Sequence, residues 1–241
     1  MNKWIIANFK MYKTADEINE YCNEFVPLVD GCKEKIALCP TFVNIERMVN
    51  LLKDTNIFVG AQNCAEHEEG AFTGEVSAKM INNVGAKLVI IGHSERRRYY
   101  NESNEAIKEK LDKALKENLT PVVCLSDEGD GDLDETLQDQ LKVILNDVTN
   151  TNIVLAFEPV WAIGTGKTMQ NDDIEKTLSK VKEIAKIYLG YMPEVLYGGS
   201  VNVNNAKEIL LLKSVDGVLV GGASKNPYDF AKICKARSEE L

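Results

Sequence analysis

The chain has 241 residues, of which 44% are hydrophobic and 27% charged, and a formal net charge of -9 at pH 7. This composition is typical of a folded globular protein and excludes a wholly disordered chain. The acidic balance disfavours nucleic acids and anionic membranes as partners, because neither would gain from polybasic attraction. It does not exclude a small anionic ligand, which a few backbone N–H groups and one lysine can bind locally.

Targeting and metal-binding patterns are not found in the sequence. The first apolar run, from Trp4 to Ala7, is too short for a secretion signal, and no stretch approaches the roughly 18 apolar residues of a membrane helix. The six cysteines form no Cys-x-x-Cys pair, and with two histidines the chain offers no zinc spacing. We therefore expect a cytoplasmic protein with free thiols and without a structural metal.

Eight short, mostly apolar runs are typical of strands buried on both faces, as in parallel sheets. Amphipathic segments separate them, the clearest being Asn104–Glu117, Leu133–Val148 and Asp172–Leu189. Strands that alternate with helices imply parallel strands joined by right-handed crossovers. With no spare linker, the pattern predicts an α/β protein with a single (β/α)8 barrel domain over residues 1–241, and a doubly wound open sheet is the main alternative. The predicted strands are Lys3–Phe9, Lys35–Cys39, Ile57–Gln62, Lys87–Ile91, Thr120–Cys124, Asn152–Phe157, Glu194–Tyr197 and Asp216–Val220.

Candidate catalytic residues follow the ends of these runs, which is where parallel α/β folds carry their chemistry. Glu158 follows the sixth run, where partial burial would make it a better base. His93 lies between the fourth run and a predicted helix start, which favours a neutral imidazole that can donate to a carbonyl. Asn8 and Lys10 follow the first run and add a polar, cationic group to the same rim. A salt-bridged strand-end glutamate and a structural loop histidine are the alternatives for Glu158 and His93.

Glycine pairs end the last two runs and predict a phosphate site. Glycine lets the backbone approach a ligand closely, and free N–H groups at a helix start favour an anion. Gly198–Ser200 and Gly221–Gly222 belong to the two terminal units, where barrels commonly bind phosphate, although tight turns are the alternative. A further glycine loop around Gly164 resembles the end of a nucleotide-binding P-loop. That motif requires glycine at position 161, which is Trp161, so the nucleotide interpretation fails.

Taken together, these motifs resemble the triosephosphate isomerase family along nearly the whole chain. The resemblance implies a TIM barrel that interconverts D-glyceraldehyde 3-phosphate and dihydroxyacetone phosphate, in glycolysis and gluconeogenesis, without metal or cofactor. Glu158 would remove the proton next to the carbonyl, His93 would polarise the carbonyl as a neutral imidazole, and Lys10 would supply positive charge. The motifs are Asn8–Met11, Gly92–Arg97, Ala156–Lys167, Tyr197–Val201 and Gly221–Ser224.

The resemblance also implies further roles. The lid of the site would hinge at Pro159–Trp161 and Lys167–Met169, and Ala61–Asn63 with Gly70–Glu75 would form a homodimer loop that brings Thr73 to the partner's site. The substrate would be bound by Asn8, Lys10, Gly164, Ser200, Gly221 and Gly222. The supporting residues would be Ser94, Glu95 and Cys124.

Four features depart from the family pattern, and one of them is Met169 at the end of the predicted lid, where alanine is commoner. Ser126 stands where glycine is usual, an acidic stretch follows it over residues 127–132, and Lys225 stands where leucine is usual. None of them is a predicted chemical residue. Another phosphate-binding barrel isomerase or lyase stays open as an alternative, as does a non-catalytic binding protein with the same fold.

Overall fold

The computed structural model describes residues 2–127, 129, 131–149, 152–162 and 168–238. Eight parallel strands form a closed barrel, in which β1 pairs with both β2 and β8. Closure confirms the predicted (β/α)8 barrel over an open sheet, which would leave two unpaired edges. The strands are β1 (Trp4–Asn8), β2 (Lys35–Cys39), β3 (Phe58–Ala61), β4 (Leu88–Ile91), β5 (Thr120–Asp127), β6 (Val154–Pro159), β7 (Glu194–Tyr197) and β8 (Gly217–Val220).

Helices follow the strands and pack around the barrel. Polar side chains cap several of them; for example, Thr14 and Glu17 form a reciprocal capping box at the start of the first helix. No helix in the described ranges is long and apolar enough to cross a membrane. The α-helices are α1 (Ala15–Leu28), α2 (Ile45–Leu52), α3 (Ala78–Asn83), α4 (Ser94–Tyr100), α5 (Asn104–Lys116), α6 (Leu133–Ile144), α7 (Asn171–Leu189), α8 (Ala206–Leu211) and α9 (Pro227–Lys235). Short 3₁₀ turns occupy Phe42–Asn44, Val160–Ala162 and Gly222–Lys225.

The inside of the barrel is filled by alternate residues of the strands. Because successive side chains of a strand point to opposite faces, the inner residues are two positions apart, as in Val154 and Ala156 of β6. The same alternation continues to Glu158, which therefore points inward at the upper end of the strand. The inner cluster contains Trp4, Ile6, Ala37, Cys39, Leu88, Ile90, Val122, Cys124, Val154, Ala156, Leu196 and Leu219.

Two predicted strands ended too early. β5 runs on to Asp127, so that Cys124 lies within the strand, and β6 runs on to Pro159 and includes Glu158. The two strands continue because Ser126 pairs in register with Glu158. The side-chain amide of Gln140 also bonds both backbone groups of Ser126, at 3.0 Å to its N–H and 2.7 Å to its carbonyl oxygen. These partners lie far along the chain, and no local pattern reveals them.

The predicted helices agree with the structure except at one end. The segments Asn104–Glu117 and Asp172–Leu189 match α5 and α7 to within one residue. The segment predicted to reach Val148 stops at Ile144, and Asp147 just beyond it has a positive φ of 56°. A left-handed residue cannot continue a right-handed helix, so the chain turns there toward β6.

A buried ion cluster joins α4, α5 and the segment after β3. The Lys110 ammonium pairs with Glu102 and lies 3.1 Å from the Asn63 side-chain oxygen, and Arg96 pairs with the same Glu102 carboxylate. The side chains of Lys110 and Glu102 are only 4% and 7% exposed. Because both charges are withdrawn from water, each depends on the other for compensation.

Replacement of Glu102 should therefore destabilise the fold. We expect Glu102→Ala to lower the free energy of unfolding by about 3–5 kcal/mol, because it leaves the buried Lys110 ammonium with only the more distant Glu66 carboxylate, 4.0 Å away. Urea unfolding at a fixed protein concentration measures the change. Glu109→Ala is the control. Glu109 is exposed on α5, the helix that carries Lys110, and its replacement should cost about 0.5 kcal/mol or less. Equal effects of the two variants would contradict the prediction.

Candidate active site

The cleft that holds the predicted site residues opens at the C-terminal ends of the strands. Its volume is about 380 Å³. Ionisable groups and the backbone of the two glycine pairs line it together, and we call the part formed by the glycine pairs the glycine side of the cleft. The predicted residues that line it are Asn8, Lys10, His93, Glu95, Glu158, Ser200, Gly221 and Gly222.

Glu158 is 1% exposed and is surrounded by donors. Its carboxylate accepts hydrogen bonds from the Ser94 backbone N–H at 2.9 Å and from the Ser94 hydroxyl at 3.1 Å. One of its oxygens also lies 3.0 Å from Nε2 of His93. Ser94 and His93 thus hold the carboxylate at the side of the cleft. The hydrogen bonds from Ser94 fix the orientation of the carboxylate.

His93 caps the N-terminus of α4, and this position determines the hydrogen bond that its Nδ1 accepts. Nδ1 accepts a hydrogen bond of 3.2 Å from the backbone N–H of Glu95, so it carries no proton. In a neutral imidazole the proton then resides on Nε2, which faces Glu158. The neutral form expected from the sequence agrees with this geometry.

Lys10 adopts an unusual backbone conformation at the edge of the cleft. Its φ is 51°, a left-handed value that is uncommon for a residue other than glycine. The Asn8 side chain accepts from the Lys10 N–H at 3.0 Å, and Gln62 donates to the Lys10 carbonyl oxygen at 2.9 Å. The ammonium lies 2.6 Å from the Glu95 carboxylate. Asn8 and Gln62 therefore hold the backbone, and Glu95 orients the charge.

Two residues to which the sequence analysis gave no role in the cleft support this arrangement. Gln62, which follows β3, also donates to the Cys39 carbonyl oxygen at 2.9 Å. Arg97 donates to the carbonyl oxygens of Gly92 at 3.1 Å and Cys124 at 3.2 Å, which joins the ends of β4 and β5. Gln62 directly follows β3 and Arg97 lies in α4, and neither position distinguishes these side chains from other polar residues in the sequence.

Cys124 contacts the Glu158 carboxylate from inside the barrel. Burial raises the pKa of its thiol well above the usual range, and the nearby Glu158 carboxylate, to which the thiol is hydrogen-bonded, raises it further. The thiol therefore stays protonated and acts as a donor. It supports Glu158 from within β5.

The glycine side of the cleft is tightly fitted around the ionisable groups. A Cβ at Gly198 would lie 3.0 Å from Cγ of Glu158, and one at Gly221 would lie 3.1 Å from Cε of Lys10. A Cβ at Gly222 would meet no atom within 4 Å, so space for a ligand remains beside its backbone. Gly164 and the centre of the predicted lid, residues 163–167, lie outside the described residues.

Comparison with known proteins identifies the family of the chain. The sequence profile described as triosephosphate isomerase matches residues 3–237. The chain belongs to the triosephosphate isomerase family. It is 40% identical over 240 residues to the triosephosphate isomerase of Clostridium botulinum (strain ATCC 19397 / Type A), a match that covers 95% of this chain and 97% of the relative.

Other relatives match at the same level. The triosephosphate isomerases of Clostridium beijerinckii and Dictyoglomus thermophilum are each 40% identical, over 245 and 246 residues, with 97% of this chain and 99% of each relative covered. The family match supports an isomerase enzyme, and nothing favours another phosphate-binding barrel or a non-catalytic protein.

The spacing at Gly198 predicts a selective loss of activity. We expect Gly198→Ala to lower kcat by roughly tenfold to a hundredfold, because its methyl group would displace Glu158 by a few tenths of an ångström or more. In Gly222→Ala, the added methyl group projects into the empty part of the cleft. This variant should therefore raise KM more than it lowers kcat. Steady-state kinetics on both variants, with thermal unfolding to confirm the fold, measures the difference. A Gly198→Ala enzyme with unchanged kcat would contradict the prediction.

Proposed function

We propose that the chain interconverts D-glyceraldehyde 3-phosphate and dihydroxyacetone phosphate by proton transfer through an enediolate, with Glu158, His93 and Lys10 as its catalytic residues. The observation that carries this proposal is that a carboxylate, a neutral imidazole and an ammonium line one cleft beside glycine backbone. Each is a group that this reaction requires, and the family match agrees with the substrate.

Glu158 acts as the general base. In the structure its carboxylate is bonded to Ser94 at the side of the cleft, and on substrate binding it turns toward the carbon next to the carbonyl. It removes a proton from that carbon and returns the proton to the neighbouring carbon, so the reaction needs no net acid or base. The low exposure of Glu158 limits competition from water for the carboxylate.

His93 stabilises the oxygen on which charge develops. Its Nε2 proton is directed into the site because Nδ1 is occupied by the Glu95 N–H. A neutral imidazole donates to the carbonyl oxygen and can exchange a proton with the adjacent hydroxyl as the carbonyl moves between the two carbons. A preorganised donor of this kind contributes on the order of 3 kcal/mol to the barrier.

Lys10 and the glycine backbone bind the phosphate and the developing oxyanion. The Lys10 side chain passes close to Gly221, so its charge lies beside the glycine side of the cleft. Ser200, Gly221 and Gly222 offer backbone N–H groups beside the free space, and Asn8 adds a polar group. Gly164 completes the proposed set by its place in the family motif alone. The absence of a metal or cofactor and a cytoplasmic location stay predictions.

Glu158→Gln tests the base directly. We expect kcat/KM for glyceraldehyde 3-phosphate to fall by at least about a thousandfold, mostly through kcat, because the amide cannot accept the proton. A coupled assay with glycerol-phosphate dehydrogenase, on protein dialysed against a chelator, measures the rate. Glu46→Gln, at an exposed position of α2, is the charge-matched control and should retain activity. A folded wild-type protein without turnover would refute the function, and an active Glu158→Gln enzyme would refute the base.

We also propose that two copies of the chain form a homodimer through the loop around Thr73. A hydrogen bond of 2.8 Å from the Ala65 N–H to the Val76 carbonyl oxygen closes this loop at its base. Within it His67 stacks on Phe72 with 3.7 Å between ring centroids, while Phe72 and Thr73 stay exposed. The loop is thus an ordered, projecting, partly apolar element.

A hollow of about 250 Å³ on the same chain supports the dimer proposal. It lies beside Lys10 and His93, and Met11 and Tyr100 at its edge are 91% and 67% exposed. Apolar side chains exposed to this degree are typical of an interaction surface. A projecting loop and a hollow on one chain fit a two-fold symmetric pair, in which each loop enters the partner's hollow.

Thr73→Arg should weaken the dimer. We expect the dimer dissociation constant to rise by at least about a hundredfold, because a charge would be buried without a partner. Analytical ultracentrifugation over a concentration series measures it. Thr149→Arg, exposed in the loop before β6, is the matched control and should leave the dimer unchanged. A wild-type protein that sediments as an active monomer at micromolar concentration would contradict the proposal.

A further inference from the structure

Lys225 is a second cationic residue of the cleft, and none of the roles above includes it. It is the last residue of the 3₁₀ turn Gly222–Lys225, directly after the glycine pair of β8. Its side chain lines the same cleft as Lys10. It is also one of the positions at which the sequence departs from the family pattern, where leucine is usual.

The Lys225 ammonium contacts an aromatic ring. Its Nζ lies 4.3 Å from the ring centroid of Tyr12, which also lines the cleft. At this distance the cation is attracted to the face of the ring. Tyr12 belongs to the loop after β1 that carries Lys10, so the pair connects the two loops that flank the cleft. Both side chains are exposed, so the contact with the ring favours positions of the ammonium at the cleft without locking it there.

The charge of Lys225 is not compensated nearby. Lys10, the other lysine that lines the cleft, has the Glu95 carboxylate 2.6 Å from its ammonium. Within the part of the chain that the structure describes, Lys225 forms no ion pair, and its contact is with Tyr12. The chain as a whole carries a formal charge of -9, which repels an anion approaching from a distance. An uncompensated cation at the cleft reduces this repulsion of the anion locally.

We propose that Lys225 is a substrate-binding residue, whose ammonium, in contact with Tyr12, attracts the phosphate dianion to the glycine side of the cleft and accelerates association. This inference rests on the proposed function, since it requires a phosphorylated substrate. The inference assigns Lys225 to the capture of the substrate, while Lys10 also acts in the chemical step. The effect should therefore appear in kcat/KM and leave kcat nearly unchanged.

The test compares Lys225→Gln and Lys225→Arg with Lys232→Gln. Lys232 is exposed on α9 and does not line the cleft, so its variant changes the net charge by the same amount at a remote place. At low ionic strength we expect Lys225→Gln to lower kcat/KM for glyceraldehyde 3-phosphate by about threefold to tenfold. The loss should shrink as salt screens the charge, and Lys225→Arg should restore most of the activity. Lys232→Gln should behave like the wild type.

Unphosphorylated glyceraldehyde provides an internal control. Its proton exchange with solvent, followed by NMR in deuterium oxide, should be the same in the wild type and in Lys225→Gln, because this substrate carries no charge. Equal effects of Lys225→Gln and Lys232→Gln would overturn the proposal and assign the change to net charge. A loss that persists with glyceraldehyde, or at high salt, would overturn it in favour of a structural role for the Lys225–Tyr12 pair. A wild type without turnover would instead refute the proposed function.

Discussion

The hydrogen-bonded closure of the sheet between β1 and β8 is the constraint on which the site depends. Closure fixes the strands in one register and directs all their C-terminal ends to the same rim. The period-two alternation of each strand then decides which side chain reaches the centre. In β6 this alternation leads from Val154 and Ala156, which fill the barrel, to Glu158 at its mouth. The apolar interior and Glu158, the proposed base, thus occupy alternate positions of a single pattern.

Backbone contacts between distant segments then refine the positions of the polar groups. The N-terminal end of α4 supplies Ser94 to Glu158 and an N–H group to His93, so one helix start orients both residues. Gln62 reaches from the end of β3 to Lys10 after β1. Because these bonds connect different β/α units, the geometry of the cleft requires the whole barrel and cannot belong to one unit alone.

The sequence predicted the barrel and the main residues of the cleft because their signals are local. Apolar runs mark buried strands, and Glu158, His93 and the glycine pairs each follow such a run directly. The missed features are non-local. The extension of β5 depends on pairing between Ser126 and Glu158 and on the Gln140 side chain, which lies 14 residues away from Ser126. The role of Gln62 likewise depends on which loop the fold brings beside it. Within the described residues, the buried Ser126 hydroxyl has no hydrogen-bond partner, and Ser126 pairs in register with Glu158.

The backbone of Lys10 has a consequence for how this protein can evolve. A left-handed conformation at a residue with a side chain costs about 1–3 kcal/mol, and glycine would adopt it with little strain. At this position, selection for stability and selection for activity therefore favour different residues. Screening for thermal resistance alone would favour glycine there and discard the ammonium, whereas selection for metabolic flux would retain lysine. Lysine at this position thus carries a backbone cost that glycine would avoid, and the proposed role of its ammonium in turnover would offset that cost.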